Sequence, residues 1–143
     1  PRTVILPYPA GRHPDHRLAS QLGYDACFLS GLGKLDLPGD AHRPHKILYT
    51  MTYREDAVKP TFVVDITEQI ETKMEAVRCY DSQFEGRTWG GEVFPGGDRP
   101  LYDQVRMHAA RYGALIRTEY GEPFQTAETV RIDDVVDLGV RSI

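Results

Sequence analysis

Two histidines lie three residues apart in the segment Arg12-His13-Pro14-Asp15-His16. Positions i and i+3 share one face of a helix, so the two imidazoles would be neighbours if a helix begins here. One ring could then bind a metal ion while the other faces a substrate. The Asp15 carboxylate could accept a ring N–H and so fix a histidine tautomer, as carboxylates behind zinc ligands do. The segment therefore predicts a metal-dependent site.

The same residues also fit a plainer structure, a polar helix start with histidines at the surface. A pair of histidines at this spacing is a short motif that arises by chance. The pair also lacks the third protein ligand that a catalytic zinc ion normally needs. On pattern alone, both interpretations stay open.

Other residues that could do chemistry have weaker support in the sequence. His42 and His45 form a second pair, in a loop that contains proline. His108 falls among the core-facing positions of a predicted helix, where a buried histidine is usually structural. Cys27 and Cys79 are predicted to be small core residues on helices. None of these alternatives outweighs the segment that begins at Arg12.

The elements that must position this segment are a strand before it and a helix after it. The apolar run Thr3–Leu6 predicts a buried strand, which ends at Pro7 because proline cannot continue a strand ladder. Pro14 is typical of a first helical turn. The predicted helix has a buried stripe at helical spacing formed by Leu18, Leu22, Ala26 and Leu29. The segment thus lies in the loop that leaves a strand, which is where α/β folds place their chemistry.

The rest of the chain continues to alternate between strand and helix. We expect strands over Ile47–Tyr53 and Phe62–Ile66, helices over Ile70–Phe84 and Leu101–Ile116, and a glycine-rich loop over Gly86–Pro100. From Thr118 onward the sequence predicts mostly tail, with a little apolar material to dock at Val135, Val136, Leu138 and Val140. The alternation predicts an α/β fold, a Rossmann-like layered sheet with helices on both faces.

Composition narrows the class of protein. The 143 residues, with 17 Lys+Arg against 21 Asp+Glu and a net charge of −4, predict one domain and disfavour nucleic-acid binding, which needs a basic face. No apolar run is long enough to span a bilayer. Two distant cysteines predict no disulfide framework, so a reducing cytoplasm is expected. Because an apolar strand begins within three residues of Pro1, we expect residues 1–143 to be the later, C-terminal portion of a larger domain.

Several segments together resemble a known family. Pro7-Tyr8-Pro9 followed by the segment Arg12–His16 resembles the second signature of the PIG-L/LmbE-type zinc-dependent deacetylases of N-acetylglucosamine derivatives. Three further segments are similar to the bacillithiol-pathway branch of that family, in the same order and spacing: Ala41–Pro44, Phe62–Glu68 and Lys73–Phe84. Together these segments extend over most of residues 4–124.

The resemblance implies roles for four residues. His16 would be a Zn²⁺ ligand, His13 would stabilise the tetrahedral intermediate, Asp15 would orient His13, and Arg12 would face the substrate. The implied reaction removes an acetyl group from a small N-acetylated amino-sugar conjugate. The family is often trimeric or hexameric, so a homo-oligomer is expected.

One part of the family pattern has no match in this sequence. The family's other two metal ligands and its general base come from an H-P-D-D-type motif after the first strand, and the only H-P-D sequence here is the one that begins at His13. Catalysis would therefore need the upstream half of the same domain as a partner. The alternative is a non-catalytic binding or assembly module that keeps the deacetylase fold.

Overall fold

The computed structural model of the chain describes residues 1–51, 58–86 and 100–140. The strands are β1 (Thr3–Leu6), β2 (Lys46–Thr50), β3 (Phe62–Asp65) and β4 (Gly121–Gln125), and the helices are α1 (Pro14–Leu29), α2 (Ile70–Arg78), α3 (Asp81–Phe84) and α4 (Leu101–Ile116). The four strands form one sheet in the order β1-β2-β4-β3. The predicted mixed α/β class is confirmed. Within these residues no helix has the length and apolar character needed to cross a membrane.

The chain divides into two compact units, each described here by itself. The first contains residues 1–62 and 124–131, and the second contains residues 63–123 and 132–143. Most of the predicted loop over Gly86–Pro100, and the end of the strand predicted over Ile47–Tyr53, lie outside the described residues.

In the first unit, helix α1 connects two parallel strands. β1 pairs with β2 in the register Thr3↔Lys46 to Leu6↔Tyr49, and a parallel pair requires a crossover of this kind. β2 then pairs antiparallel with the end of β4, where Thr50 is opposite Phe124. The sheet is therefore mixed, and β1 is an edge strand.

Helix α1 packs through small residues and exposes its large ones. Ser20 is only 1% exposed, and a Cβ placed on Gly23 would come within 2.5 Å of a Leu6 methyl group. The stripe that the sequence predicted to be buried is instead exposed, with Leu18 at 68% and Leu22 at 71%. The prediction was wrong because close approach of this helix to β1 selects its glycine and serine face.

The sequence predicted a buried strand over Thr3–Leu6. The bounds of the strand are correct, but only part of it is buried. Leu6 is buried, while Ile5 is 54% exposed. Successive side chains of a strand point to opposite faces, and only one face of β1 is covered within the described residues. The apolar content of β1 therefore exceeds what the described part of the chain buries.

The second unit has its own core, in which α2 lies against α4. Ile66, Ile70 and Ala109 form a buried cluster on which Tyr120 packs. Arg106 of α4 donates to the Glu71 carboxylate at 2.9 Å, which adds a partly exposed ion pair to this contact.

A short 3-10 turn, Thr67–Gln69, precedes α2. The carboxylate of Asp65 accepts hydrogen bonds at the start of this turn, from the Thr67 hydroxyl at 2.7 Å and the Thr67 main-chain N–H at 3.0 Å. These bonds favour the charged form and lower the pKa of Asp65.

The helix predicted as one element over Ile70–Phe84 is interrupted. α2 ends at Arg78, Tyr80 adopts φ −103° and ψ 52°, and α3 then begins at Asp81. The apolar period continues across the break because Phe84 still finds a partner, the ring of Tyr102, with ring centroids 5.3 Å apart. Periodicity therefore located Ile70 and Met74 correctly as buried positions, but Tyr80 is 65% exposed and the break between α2 and α3 was missed.

The region from Thr118 onward contains a buried strand, β4, where the sequence predicted tail. The strand Gly121–Gln125 contains a glycine and a proline, which are both depleted in strands, and this composition hid it. The apolar residues predicted to dock are exposed instead, with Val135 at 77% and Val136 at 83%. They lie at a short turn that the Asp134 carboxylate caps by accepting the Val136 N–H at 2.9 Å, so they belong to a locally held segment outside the core.

Gly113 lets α4 approach the chain that leads into β4. A Cβ at this position would lie 2.7 Å from the Tyr120 main-chain nitrogen and 2.8 Å from the Glu119 carbonyl oxygen. Neither backbone atom can move away as a flexible side chain does, so Gly113 is required by this packing.

We predict that Gly113→Ala lowers the free energy of unfolding by about 1–3 kcal/mol, the usual effect of overpacking. Glycine to alanine inside a helix ordinarily raises stability by about 1 kcal/mol, so the sign of the change is diagnostic. Chemical denaturation measures it. Gly139→Ala is the matched control, since nothing lies within 4 Å of its added methyl. Equal or greater stability of Gly113→Ala would contradict the packing described for α4.

Candidate active site

The segment Arg12–His16 spans the start of α1, immediately after the carboxyl end of β1. Between the two elements, the Gly11 N–H donates to the Tyr8 carbonyl at 3.3 Å and closes a tight turn. Pro14 is the first helical residue, where its missing N–H costs no hydrogen bond. The predicted placement of the segment, in the loop leaving a strand and at a helix start, is confirmed.

His13 is the N-cap residue of α1, and its ring does the capping. Its Nδ1 accepts the main-chain N–H of Asp15 at 3.2 Å. A ring nitrogen that accepts a hydrogen bond carries no proton, so in the neutral imidazole the proton is on Nε2. The cap therefore fixes the tautomer and leaves Nε2–H as a donor on a side chain that is 57% exposed.

Asp15 contacts the His13 ring mainly through its main chain. Its carboxylate Oδ2 lies 3.9 Å from Nδ1, which is too far for a hydrogen bond to a neutral ring. The sequence led us to expect the carboxylate to orient the ring, and in the structure the main-chain N–H makes the shorter contact. The carboxylate is near enough to form an ion pair when the ring is protonated.

His16 lies next to His13, as the spacing predicts. The two ring centroids are 5.0 Å apart and the ring planes are inclined by 34°. Both residues are exposed, and so is Arg12, which immediately precedes the cap. The structure therefore brings the four predicted site residues together in one short stretch of surface.

Sequence reasoning missed Arg17, the first residue after this segment. Its Nη1 donates to the Gly11 carbonyl at 3.0 Å and to the Arg12 carbonyl at 2.8 Å. The signal was present, because a basic residue in the first turn of a helix is opposed by the helix dipole and needs another explanation.

The fit of this site to zinc is partial. Within residues 1–51, 58–86 and 100–140, no group of three or more His, Cys, Asp or Glu side chains could hold a metal ion. A catalytic zinc normally has three protein ligands, and the resemblance supplies one of them here, His16. The described residues therefore supply one ligand of such a zinc site and do not form the site alone.

The second histidine pair fastens a loop. The His42 ring Nε2 contacts the Pro1 carbonyl at 2.8 Å, and the main-chain N–H of His45 donates to the Arg2 carbonyl at 2.9 Å. Both contacts tie the chain before β2 to the chain before β1. The ring of His42 therefore has a structural contact, whereas His45 contributes to this connection through its main chain.

The remaining candidates are His108 and the two cysteines. His108 is buried, with its ring 4.8 Å from that of Tyr112 in an edge-on arrangement. Cys27 is half-buried, whereas Cys79 is exposed at the end of α2, so its assignment to the core was wrong. Both thiols are free.

A polar cavity of 540 Å³ lies in the second unit, and none of its lining residues belongs to the predicted site. It is lined by Asp65, Thr67, Glu68, Gln69, Thr118 and Glu119.

The sequence and the fold both have known relatives, although no protein-family model matches the chain. Over 95 residues, or 62% of this chain and 34% of the relative, the sequence is 37% identical to a diacetylchitobiose deacetylase from Thermococcus kodakarensis. The chain is therefore similar in sequence to a diacetylchitobiose deacetylase over this stretch. The resemblance read from the motifs is confirmed to that extent.

Two solved structures are also similar to the chain in fold and sequence. A conserved protein from Thermus thermophilus superposes with a TM-score of 0.74 at 31% identity, over 92% of this chain and 54% of that one. The N,N'-diacetylchitobiose deacetylase from Pyrococcus horikoshii, solved with its inhibitor, gives 0.65 at 29% identity, over 87% and 45%. The chain thus spans between 34% and 54% of the length of these relatives.

We predict that the imidazole of His13 stabilises α1 as a cap, independently of any catalysis. His13→Ala removes the acceptor for the Asp15 N–H and should lower the free energy of unfolding by about 1 kcal/mol. His13→Asn keeps a capping oxygen and should retain most of that stability. Chemical denaturation of both variants tests this, and equal stability of His13→Ala and wild type would contradict the cap.

Proposed function

We propose that the chain is the C-terminal portion of a zinc-dependent deacetylase that removes an acetyl group from an N-acetylglucosamine-type amide. The observation that carries the proposal is the pair of adjacent imidazoles of His13 and His16 at a helix start, one of them with its tautomer fixed, in a relative of diacetylchitobiose deacetylases. A surface helix start needs neither the second ring nor the fixed tautomer.

In this proposal each residue has a distinct task. Nε2–H of His13 donates to the amide carbonyl oxygen as negative charge develops there, which is how an oxyanion hole acts. Arg12 binds the substrate through its guanidinium, whose planar donors suit hydroxyl or anionic groups. His16 is a ligand of the zinc ion, which when bound would supply Lewis acidity and activate water. Asp15 holds the His13 ring in place.

The proposed enzyme needs residues from outside this chain. Two further zinc ligands and a general base, which takes the proton of the attacking water, are to come from the upstream half of the same domain. Two features support such a partner: among the described residues β1 lies at the edge of the sheet, and α1 exposes Leu18 and Leu22. Parallel strands rarely remain at an uncovered sheet surface.

The proposed substrate is a small N-acetylated amino-sugar conjugate. The segments Ala41–Pro44 and Phe62–Glu68 favour a bacillithiol-pathway compound, whereas the names of the relatives favour an acetylated chitobiose. Both compounds carry an acetamido sugar, and comparison of kcat/KM for the two distinguishes them. We further propose a cytoplasmic location and a trimeric or hexameric assembly, which size-exclusion chromatography with light scattering tests.

The alternative is a non-catalytic binding or assembly module. The absence of a three-ligand cluster among the described residues favours it for this chain taken alone. The first measurement is therefore the intact mass and zinc content of the protein as purified. About one zinc per complex containing a second polypeptide or a longer chain supports the deacetylase, and a metal-free protein of 16.2 kDa that never hydrolyses an acetamido sugar supports the module.

We predict that substitutions of the two histidines have different effects in the complete protein. His16→Ala should lose the zinc, because one of its three protein ligands is gone. His13→Asn should keep both the zinc and the fold while kcat falls by about 10²–10³, the usual effect of removing one oxyanion donor. Metal analysis and steady-state kinetics on an N-acetylglucosaminyl substrate measure the two effects.

His45→Ala is the matched control, since this exposed histidine takes part in the fold through its main chain. It should retain both zinc and turnover. Full zinc content in His16→Ala would remove that residue from the ligand set. A loss in His13→Asn confined to KM would assign His13 to substrate binding instead of the transition state.

A further inference from the structure

We infer that Arg17 is a positioning residue for the candidate active site, because it holds the main chain that carries Arg12 and His13. The inference rests on the proposed function, in which those two residues bind and activate the substrate. Arg17 belongs to neither histidine pair and lies outside the motif on which the family resemblance depends.

The guanidinium of Arg17 contacts two consecutive carbonyl groups. Its Nη1 bears two hydrogens and donates to the Gly11 carbonyl at 3.0 Å and the Arg12 carbonyl at 2.8 Å. The guanidinium thus fixes the direction of the carbonyl groups on both sides of Arg12. The Arg17 main-chain N–H donates to the His13 carbonyl at 3.3 Å, which is the ordinary first hydrogen bond of the helix.

The location of Arg17 is not explained by helix stability. A positive charge in the first turn is unfavourable to the helix dipole, and a long side chain loses rotamer freedom when it is held in place. The charge-assisted bonds to two carbonyl oxygens offset both costs. One of these oxygens belongs to Gly11, a buried residue, whose carbonyl needs a donor in place of water.

The consequence for the site is geometric. Rotation of the peptide groups at Gly11 and Arg12 would move the Arg12 side chain and shift His13 relative to the Asp15 N–H that holds its ring. Displacement of a catalytic group by about 1 Å can cost about 10²-fold in rate. Arg17 therefore acts on the reaction through its neighbours, without itself needing to touch the substrate.

The test compares three variants of the protein as purified, together with the upstream half of the domain where it is present. Arg17→Met removes both donors and keeps the length and apolar part of the side chain. Arg17→Lys keeps a charge and donors, but as a compact ammonium that matches two carbonyls less well. Arg43→Met is the matched control: the Arg43 guanidinium also donates to a main-chain carbonyl, that of Phe28 at 3.2 Å, at the other end of the same helix.

Two readouts are used, one of which does not depend on activity. The ¹⁵N signals of the His13 ring report whether Nδ1 still accepts the Asp15 N–H, and steady-state kinetics give kcat and KM separately. We expect Arg17→Met to shift the His13 ring signals and to lower kcat by about 10- to 100-fold. Arg17→Lys should recover part of both effects. Arg43→Met should change neither, although it lowers the thermal midpoint.

The inference is overturned if Arg17→Met retains the wild-type His13 signals and kcat, or if Arg43→Met reproduces its effects. If Arg17→Met does not fold, Arg17→Lys decides: unchanged ring signals with wild-type kcat and reduced stability would make Arg17 purely structural. A wild-type protein that hydrolyses no acetamido sugar contradicts the proposed function, and the ring signals still decide whether Arg17 holds His13.

Discussion

The close approach of α1 to β1 is the constraint that places the candidate site. Gly23 brings the helix against Leu6, Ser20 is buried on the same helix, and this packing fixes where the helix axis lies relative to the end of the strand. Only residues 7–13, which include the turn closed between Tyr8 and Gly11, then separate Leu6 from Pro14, so the stretch that carries Arg12 and His13 has little freedom left. The packing of small residues thus decides where the two imidazoles lie, although none of those small residues has chemistry of its own.

The sequence predicted which segments are strands and helices better than it predicted their buried faces. Thr3–Leu6 and Leu101–Ile116 match the structure at both ends, because apolar runs and proline positions report local structure directly. The prediction of the buried face of α1 was wrong, because it took the most apolar stripe of the helix as the face that packs on the core. That rule assumes that the chain covers its own apolar surface, and α1 does not do so within the described residues.

The sequence was enough to predict which residues form the candidate site, but not which contacts hold them. The spacing of His13 and His16 was enough to make them neighbours. The main-chain contact of the His13 ring was not predictable, because a histidine is an unusual N-cap and the preference for carboxylates behind histidines suggested Asp15 Oδ2 instead. Arg17 was missed because its role depends on main-chain carbonyl groups, which every residue has, and the sequence marks only its unusual position as a basic residue in a first helical turn.

The use of histidine as the cap of α1 connects the stability of the fold to its chemistry. Asparagine, aspartate and serine cap helices best, so capping alone does not account for an imidazole at position 13. An imidazole differs from those side chains in having a second polar atom on the far side of the ring. While Nδ1 accepts the Asp15 N–H at 3.2 Å, Nε2–H stays a donor whose tautomer the helix itself maintains. The hydrogen bond that begins α1 is therefore the same interaction that prepares the donor for an amide carbonyl.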